Sequence, residues 1–406
     1  MKLLYIASVD FYSKPNPSFH LMCAMIEDLL DYGVRVEFIG CAENGLRKHI
    51  PDNFLNHPLF HASLISVAKV KKSKFCKRYL NGIQYSIKLK KYIKRYAIDC
   101  DVIFVQSSPT VVFTLRYAKK YSRRHNIIYN IQDMFPGSSI ASGVMKRGWM
   151  QKIFYSIQKI AYRKADIITV ISEDMKKRVC EQGVEQGKIH VIYNWFDDHA
   201  IREVFWEENR FVKKYNLDPF KFYVQYAGTM GYVFDYNIVL EVAERLSSYS
   251  KIEFQMIGEG SQKDTFMTDA KLRGLTNIKF YPLESQEMVS DVYSACTVCF
   301  IPLKKGVIGN SVPSKTGLLM ACKRPIITSA DIDSEYCTVI NKYHLGIAVD
   351  ASDYKAVVDA ILALYNDRAI ASWMGKNGFK YGQTLYSRKY NMDKYLMLFD
   401  SMADGF

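Results

Sequence analysis

The sequence predicts an α/β protein built from two Rossmann-like, doubly wound parallel sheets, and three observations predict it. Its 406 residues exceed what one hydrophobic core usually serves, so two domains of about 200 residues each are expected. Apolar residues make up 49% of the chain, enough to pack both. Short apolar runs alternate with amphipathic stretches from Lys2 to about Leu364, the rhythm that sets parallel strands between layers of helix.

In the first half, strands are expected at Lys2–Ser8, Val34–Ile39, Val102–Gln106, Ile127–Ile131, Ile167–Ile171 and His190–Tyr193, with helices between them, notably His20–Tyr32 and Gln151–Ala165. Leu3 to Val9 is closed by Asp10 and lacks a small-residue cleavage site, so it reads as a first strand and not a signal peptide. No stretch approaches the ~20 apolar residues of a membrane span. From Asn194 to about Pro219 the chain is polar and irregular, with Asp197, Asp198, Glu207 and Glu208; the domain boundary is placed there, giving 1–198 with 384–406 as one domain and 199–383 as the other. The second half gives strands at Phe222–Ala227, Ile252–Ile257, Ile278–Tyr281, Val298–Pro302, Pro325–Thr328 and Gly346–Val349, and helices at Ile238–Ser247, Gln286–Ala295, Ser314–Cys322 and Tyr354–Tyr365. Tyr386 to Phe399 reads as a final aromatic-rich helix.

The net charge of +14 is uneven: residues 1–200 hold 31 Lys and Arg against 17 Asp and Glu, residues 201–406 hold 24 against 24. Lys69 to Arg95 alone carries eleven bases and no acid, interleaved with Tyr79, Leu80, Ile83, Tyr85, Ile87, Leu89 and Ile93. That composition suits an anionic membrane surface. Half of those charges at roughly 1 kcal/mol each give an attraction on the order of 5 kcal/mol, enough for reversible attachment; the alternative is a solvated helix face. Nucleic acid is not expected, because no zinc-finger or RRM signature accompanies the charge.

Nine scattered cysteines fit reduced thiols in a cytoplasm, and Cys296-x-x-Cys299, without a second pair, reads as buried strand. Asp99-Cys100-Asp101 and Asp331-Ile332-Asp333 are read as loop residues at strand ends, and His57 and His61 enclose Pro58, against a helical ligand pair. No metal and no cofactor are expected.

The most chemical feature is Gly228-Thr229-Met230-Gly231, a glycine turn between the apolar run Phe222–Ala227 and the amphipathic stretch Ile238–Leu246. A strand handing over to a helix through such a turn presents backbone N–H groups and a positive helix end to one spot, which suits a phosphate. Val312-Pro313-Ser314-Lys315 opens another helix after another strand. Two such corners facing each other would hold a diphosphate; the bland alternatives are a tight turn and a surface ion pair for Lys315.

These motifs resemble those of the family 4 glycosyltransferases, the retaining GT-B enzymes, and within them the branch that builds capsule, exopolysaccharide and O-antigen, L-fucosamine transferase-like members included. The resemblance covers nearly the whole chain. It is carried by Ile131-Gln132-Asp133-Met134-Phe135-Pro136-Gly137-Ser138, by Thr169-Val170-Ile171-Ser172-Glu173 with Val191-Ile192-Tyr193-Asn194-Trp195-Phe196-Asp197, by Tyr226-Ala227-Gly228-Thr229-Met230-Gly231, by Met256-Ile257-Gly258-Glu259-Gly260, and by Val312-Pro313-Ser314-Lys315 running into Ala321-Cys322-Lys323-Arg324-Pro325. It implies two facing Rossmann-like domains, an acceptor held by the first, a nucleotide-sugar by the second, and a last helix that returns to the first.

The resemblance implies a donor site of Gly228, Thr229, Met230, Gly231, Gly258, Tyr281, Leu283, Ser311, Val312, Ser314 and Lys315, and acceptor contacts at Asn16 and Asn194. Relatives often carry two glutamates eight positions apart; here Asn310 and Leu318 stand there, so Glu335 is the candidate for the ribose hydroxyls. The usual following glycine is Lys323, and Tyr232 stands where an arginine is common. Near the acceptor, Gln132 replaces a histidine and Asp133 follows it. Asp133 is the candidate catalytic carboxylate, orienting the acceptor hydroxyl or accepting its proton, with a helix cap as its bland reading.

The expected function is retaining transfer of a hexose or N-acetylhexosamine from a nucleotide diphosphate sugar, UDP-linked, to a lipid-linked glycan at the inner face of the cell membrane. Alternatives are a sugar-nucleotide epimerase of the same fold and a non-catalytic partner subunit, the latter raised by the missing glutamates.

Overall fold

The computed structural model describes residues 1–8, 17–43, 50–68, 75–145, 148–197 and 200–404. By its internal contacts the chain divides into two units: Met1–Gly137, Lys146–Tyr193 and Met392–Phe406 form one, Ser138–Met145 and Asn194–Asn391 the other.

The first unit holds a seven-stranded sheet of β1 (Lys2–Ile6), β2 (Arg35–Glu43), β3 (Phe60–Val67), β4 (Val102–Gln106), β5 (Ile127–Ile131), β6 (Ile167–Val170) and β7 (Ile189–Val191), ordered β3-β2-β1-β4-β5-β6-β7. All of its pairings are parallel. β4 and β5 are buried along their whole length, as strands covered by helices on both faces must be. Edge strand β3 was not expected: Phe60-His61-Ala62-Ser63-Leu64-Ile65-Ser66-Val67 has neither a continuous apolar run nor clean alternation, and only Ile65 is fully buried. His61 is engaged there, its Nδ1 2.9 Å from Glu37 Oε2.

The second unit holds a six-stranded sheet of β8 (Phe222–Ala227), β9 (Ile252–Ile257), β10 (Ile278–Tyr281), β11 (Val298–Pro302), β12 (Ile326–Ala330) and β13 (Gly346–Asp350), ordered β10-β9-β8-β11-β12-β13 and again parallel throughout. In both sheets the order reverses once, between β1 and β4 and between β8 and β11. Open parallel sheets receive ligands at that switch point, beyond the carboxyl ends of the strands.

Each sheet carries a buried side-chain bridge between register partners. Asn130 on β5 donates to Thr169 Oγ1 on β6 at 2.9 Å, and Gln225 on β8 donates to Gln255 Oε1 on β9 at 3.0 Å. Such bridges disfavour a register slip, which would strand a buried amide. Asn130 also donates to Tyr395 Oη at 2.8 Å. Tyr395 lies on the final helix, Arg388–Ala403, whose residues from Met392 onward belong to the first unit; its Tyr395 and Phe399 rings meet Phe104 edge-on, both at 5.8 Å. Within the second unit, the Phe196 N–H donates to the Tyr386 carbonyl at 3.0 Å, tying together the two stretches of chain that lead to and from the first unit.

Lys323 adopts φ +54°. A non-glycine residue there costs roughly 1–2 kcal/mol. Its ammonium lies 3.0 Å from Glu203, a half-exposed pair worth at most about 1 kcal/mol. Lys323→Gly is therefore expected to leave the melting temperature unchanged or raised, and Lys323→Val to lower it; thermal unfolding of the two variants checks this.

Candidate donor site and strand-end carboxylate

The glycine turn follows β8 directly at the switch point, but its hydrogen bonding differs from the expectation. The Gly228 N–H is not free: it donates to the Ile257 carbonyl at 2.9 Å, and the Met230 N–H donates to Glu259 at 2.9 Å. β8 and β9 prolong their pairing beyond the strand ends, so these amides serve the neighbouring loop. Among the described residues, the Thr229 and Gly231 N–H groups have no hydrogen-bond partner. The helix after the turn is also not open to an anion, because it begins only at Tyr236 and the Asp235 carboxylate caps it at Asn237 N–H, 3.2 Å away.

The two loops approach so closely that only glycine fits. A Cβ on Gly258, at φ +131°, would stand 2.0 Å from the Gly228 carbonyl oxygen, and one on Gly260 would stand 2.3 Å from that of Met230. Gln262 clamps the turn from the same loop, donating to the Gly231 and Phe234 carbonyls. Met230 has its side chain fully buried in the core, and its carbonyl accepts from Gln262 N–H; its place is in holding the turn.

Lys315 is brought against this turn. Its Nζ would lie 2.9 Å from a Cβ at Gly228 and sits 3.4 Å from the centre of the Tyr226 ring. The stem of Lys315 is partly exposed, but the ammonium is sealed and has no hydrogen-bond partner. Burial pushes its pKa down to about 8. The Tyr226 phenol donates to the Thr229 carbonyl at 2.7 Å, so one side chain seats the ammonium and fastens the turn. Sequence reasoning did not single out Tyr226, Gly260 or Gln262; the Gly-x-Gly after β9 was the available signal for the second.

Ser314 is exposed and makes no side-chain cap for the seven-residue helix Lys315–Ala321. Ser311 and Val312 are half-buried on the preceding loop, Val312 packing on the core. That loop is held by Asp331, whose carboxylate accepts from Gly306 N–H at 2.7 Å and Ile308 N–H at 3.1 Å. Asn310 is buried and donates to the Gly306 carbonyl at 2.9 Å, and Leu318 packs on the core. Asn310 and Leu318 thus both support the loop.

Tyr281 ends β10, its phenol pushed up to about 12 by burial, and its carbonyl receives Gly258 N–H at 3.2 Å. Leu283, just beyond, is exposed. Glu335 opens the helix Glu335–Lys342, half-buried and close enough to Tyr381 to raise that phenol.

In the first unit, Gln132 and Asp133 follow β5. Gln132 N–H donates to Ser107 Oγ at 3.1 Å and its side-chain amide to Asn130 Oδ1 at 2.9 Å, which links it to the Thr169 and Tyr395 bridge. Asp133 is not a helix cap, since the next helix starts at Gly137. Burial by surrounding protein pushes its carboxyl up to about 6, yet the residue remains exposed to solvent, which limits how far that rise can go. Asn194 is half-buried just after β7. Asn16 lies outside the described residues, as do Lys69, Lys71, Lys72 and Lys74 of the basic run. Among the described residues no cluster of His, Cys, Asp or Glu is arranged to hold a metal ion, the eight described cysteines are free, and no helix is long and apolar enough to cross a membrane.

Two family models match this chain. The one described as Glycosyltransferase Family 4 matches residues 22–200, and the one described as Glycosyl transferases group 1 matches residues 207–381. The chain belongs to glycosyltransferase family 4. Curated relatives include a probable glycosyltransferase, WbjE, of Pseudomonas aeruginosa, 23% identical over 64% of this chain and 64% of its own length. Another is the putative colanic acid biosynthesis glycosyl transferase WcaI of Escherichia coli, 22% identical over 61% of each. The matches thus span under two thirds of these relatives. Among solved structures, sucrose-phosphate synthase of Thermosynechococcus elongatus superposes with a TM-score of 0.76 at 16% identity, covering 98% of both chains. Anabaena HepE in complex with UDP does so at 0.74 and 12% identity, covering 98% of this chain and 100% of its own. The fold of this family member is that of the GT-B glycosyltransferases.

Two outcomes are expected. Gly258→Ala should destabilise by at least about 1–3 kcal/mol from backbone strain alone, read as a fall in the urea midpoint. For Lys315, the folded protein holds the proton less tightly than the unfolded chain, whose lysine titrates near 10.5. Between about pH 8 and pH 10.5 the unfolded state binds more protons, so stability rises with pH in that window. Lys315→Met should lose this rise and, at neutral pH without ligand, gain on the order of 3 kcal/mol; unfolding curves of both proteins across pH measure it.

Proposed function

We propose that this chain transfers a hexose or N-acetylhexosamine, with retention, from a UDP-linked sugar to a lipid-linked glycan in bacterial surface polysaccharide synthesis. The observation that carries the reading is the buried, unpaired Lys315 ammonium seated against the glycine turn at a strand-order switch point. A buried ammonium without a counter-charge is unfavourable, and an arriving phosphate removes that penalty. Family membership, the UDP bound by HepE and the colanic acid assignment of WcaI support donor class and pathway.

The C-terminal domain, residues 199–383, holds the donor. Lys315 balances the diphosphate together with the unpaired N–H groups of Thr229 and Gly231, while Ser311, Val312 and Ser314 line the loop from β11 and Tyr281 and Leu283 the end of β10. Glu335 receives the ribose hydroxyls. The N-terminal domain, 1–198 with 384–406, holds the acceptor near Asn16 and Asn194, and Asp133 orients its hydroxyl while Gln132 fixes the strand end. In the transfer the bond from anomeric carbon to β-phosphate oxygen breaks, the acceptor oxygen bonds to that carbon on the same face, and the departing phosphate oxygen takes the acceptor proton. Lys315 and the free amides stabilise the developing charge. No protein nucleophile and no metal are invoked.

A panel of nucleotide sugars should raise the melting point, UDP-sugars most, and Lys315→Ala should abolish that rise. Turnover should persist with chelator present and fall at least about 100-fold in Asp133→Asn. Incubation with donor alone should yield at most slow hydrolysis; a new sugar nucleotide would identify an epimerase, and absence of stabilisation by every donor a non-catalytic subunit.

A further inference from the structure

Three helices of the first unit, Phe75–Tyr96, Val111–Tyr121 and Trp149–Lys164, pack side by side. Lys90 Nζ lies over the Tyr117 ring at 6.0 Å, joining the first to the second, and Tyr79 meets Phe154 edge-on at 5.3 Å, joining the first to the third. Together they contain fourteen Lys and Arg and no Asp or Glu. Of these bases, Lys119 alone is paired with a carboxylate among the described residues, at 2.6 Å from Asp166.

The outward sides of these helices are not simply basic. Leu80 and Ile87 are exposed on the first, and Trp149, Met150, Ile153 and Ile160 on the third, Trp149 at 73%. On the third helix, Ile153 and Ile160 are one heptad apart and so share a side, with exposed Lys152, Lys159 and Arg163 along its flanks. On the first, Ile87 and Lys91 are four apart, and both are exposed.

We infer that this three-helix face docks on an anionic lipid surface, with Trp149, Met150 and Ile153 inserted among the headgroups and the unpaired bases held at the phosphates. The inference deepens the reading of a lipid-linked acceptor and rests on it for its purpose. Nucleic acid would reward the bases but not exposed Leu, Ile and Met, which offer no stacking face. A protein partner is disfavoured by lysines bordering the apolar side chains, since interface centres are depleted of lysine. Aliphatic side chains beside bases, with a tryptophan at one end, are the composition of an interfacial element.

The test is co-sedimentation with vesicles of phosphatidylcholine alone and of phosphatidylcholine with phosphatidylglycerol, at low and high salt. The unaltered protein should partition onto the anionic vesicles and detach as salt rises. The double variant Trp149→Ser with Ile153→Ser, and separately Lys91→Glu with Lys94→Glu, should each weaken partitioning about tenfold or more while donor-induced thermal stabilisation persists, which shows both fold and donor site intact. Equal partitioning of all three proteins, equal partitioning onto neutral vesicles, or retention on a DNA column in preference to vesicles would overturn the proposal. Vesicle binding without donor stabilisation would leave the docking face standing and remove the transferase reading; donor stabilisation without vesicle binding would do the reverse.

Discussion

A buried ammonium with no anion beside it is the constraint on which the second unit's switch point depends. Removing Lys315 Nζ from water carries a penalty that the Tyr226 ring offsets only in part, since even a desolvated cation–π contact is worth about 2 kcal/mol. The surrounding architecture keeps that ammonium from escaping to solvent or finding a carboxylate. Asp331 and Asp235 are occupied by backbone N–H groups of Gly306, Ile308 and Asn237, and Glu259 by Lys263. The fold bears the instability of an ammonium sealed from water without a hydrogen-bond partner, a trade between stability and function found where sites are preorganised.

Much of the fold was legible, for reasons that differ by element. Strands β4, β5, β8, β9 and β11 begin and end where the apolar runs do, because a strand buried on both faces is written as a continuous run; edge strand β10 was also read in full, although only Ile278 of it is buried. β3 was missed because an edge strand needs no such run. The helix Arg368–Leu385 was hidden by three glycines, Gly375, Gly378 and Gly382, which normally argue against helix. They are there for packing: a Cβ on Gly375 would meet the Lys323 carbonyl at 2.1 Å, and one on Gly382 would meet Met320 at 2.9 Å. In the candidate site, the proximity of Lys315 to the turn was expected from the two strand-to-helix corners. The engagement of the Gly228 N–H was not readable, since it depends on how two loops distant in sequence pair in space; the cap by Asp235, two residues from the N–H it accepts, is a local signal that the sequence carried.

Departures from the family pattern have a common structural consequence. Where relatives place glutamates, Asn310 and Leu318 face inward and support the loop between β11 and the helix Lys315–Ala321. An acid at position 310 would bring its charge to the loop that Asp331 already clamps with a carboxylate, and two close carboxylates repel unless one is protonated. Asp331 is therefore the acid that sets the geometry of this loop. Lys323 fits the same pattern, since its left-handed backbone preserves the sharp turn that glycine gives relatives while its ammonium joins Arg324 around Glu203.

The distribution of charge separates two tasks that a single electrostatic design would confuse. A strongly basic C-terminal half would attract any polyanion; residues 201–406 are instead balanced at 24 bases and 24 acids. A surface contact works the opposite way, gaining from many weak, screened attractions that salt can loosen. The excess of bases accordingly lies in residues 1–200, on helices whose acid-free sequences would be hard to explain by folding alone, because opposite charges four apart would have stabilised them further. Their absence leaves these helices with charge of one sign, the arrangement that an extended negative surface would attract.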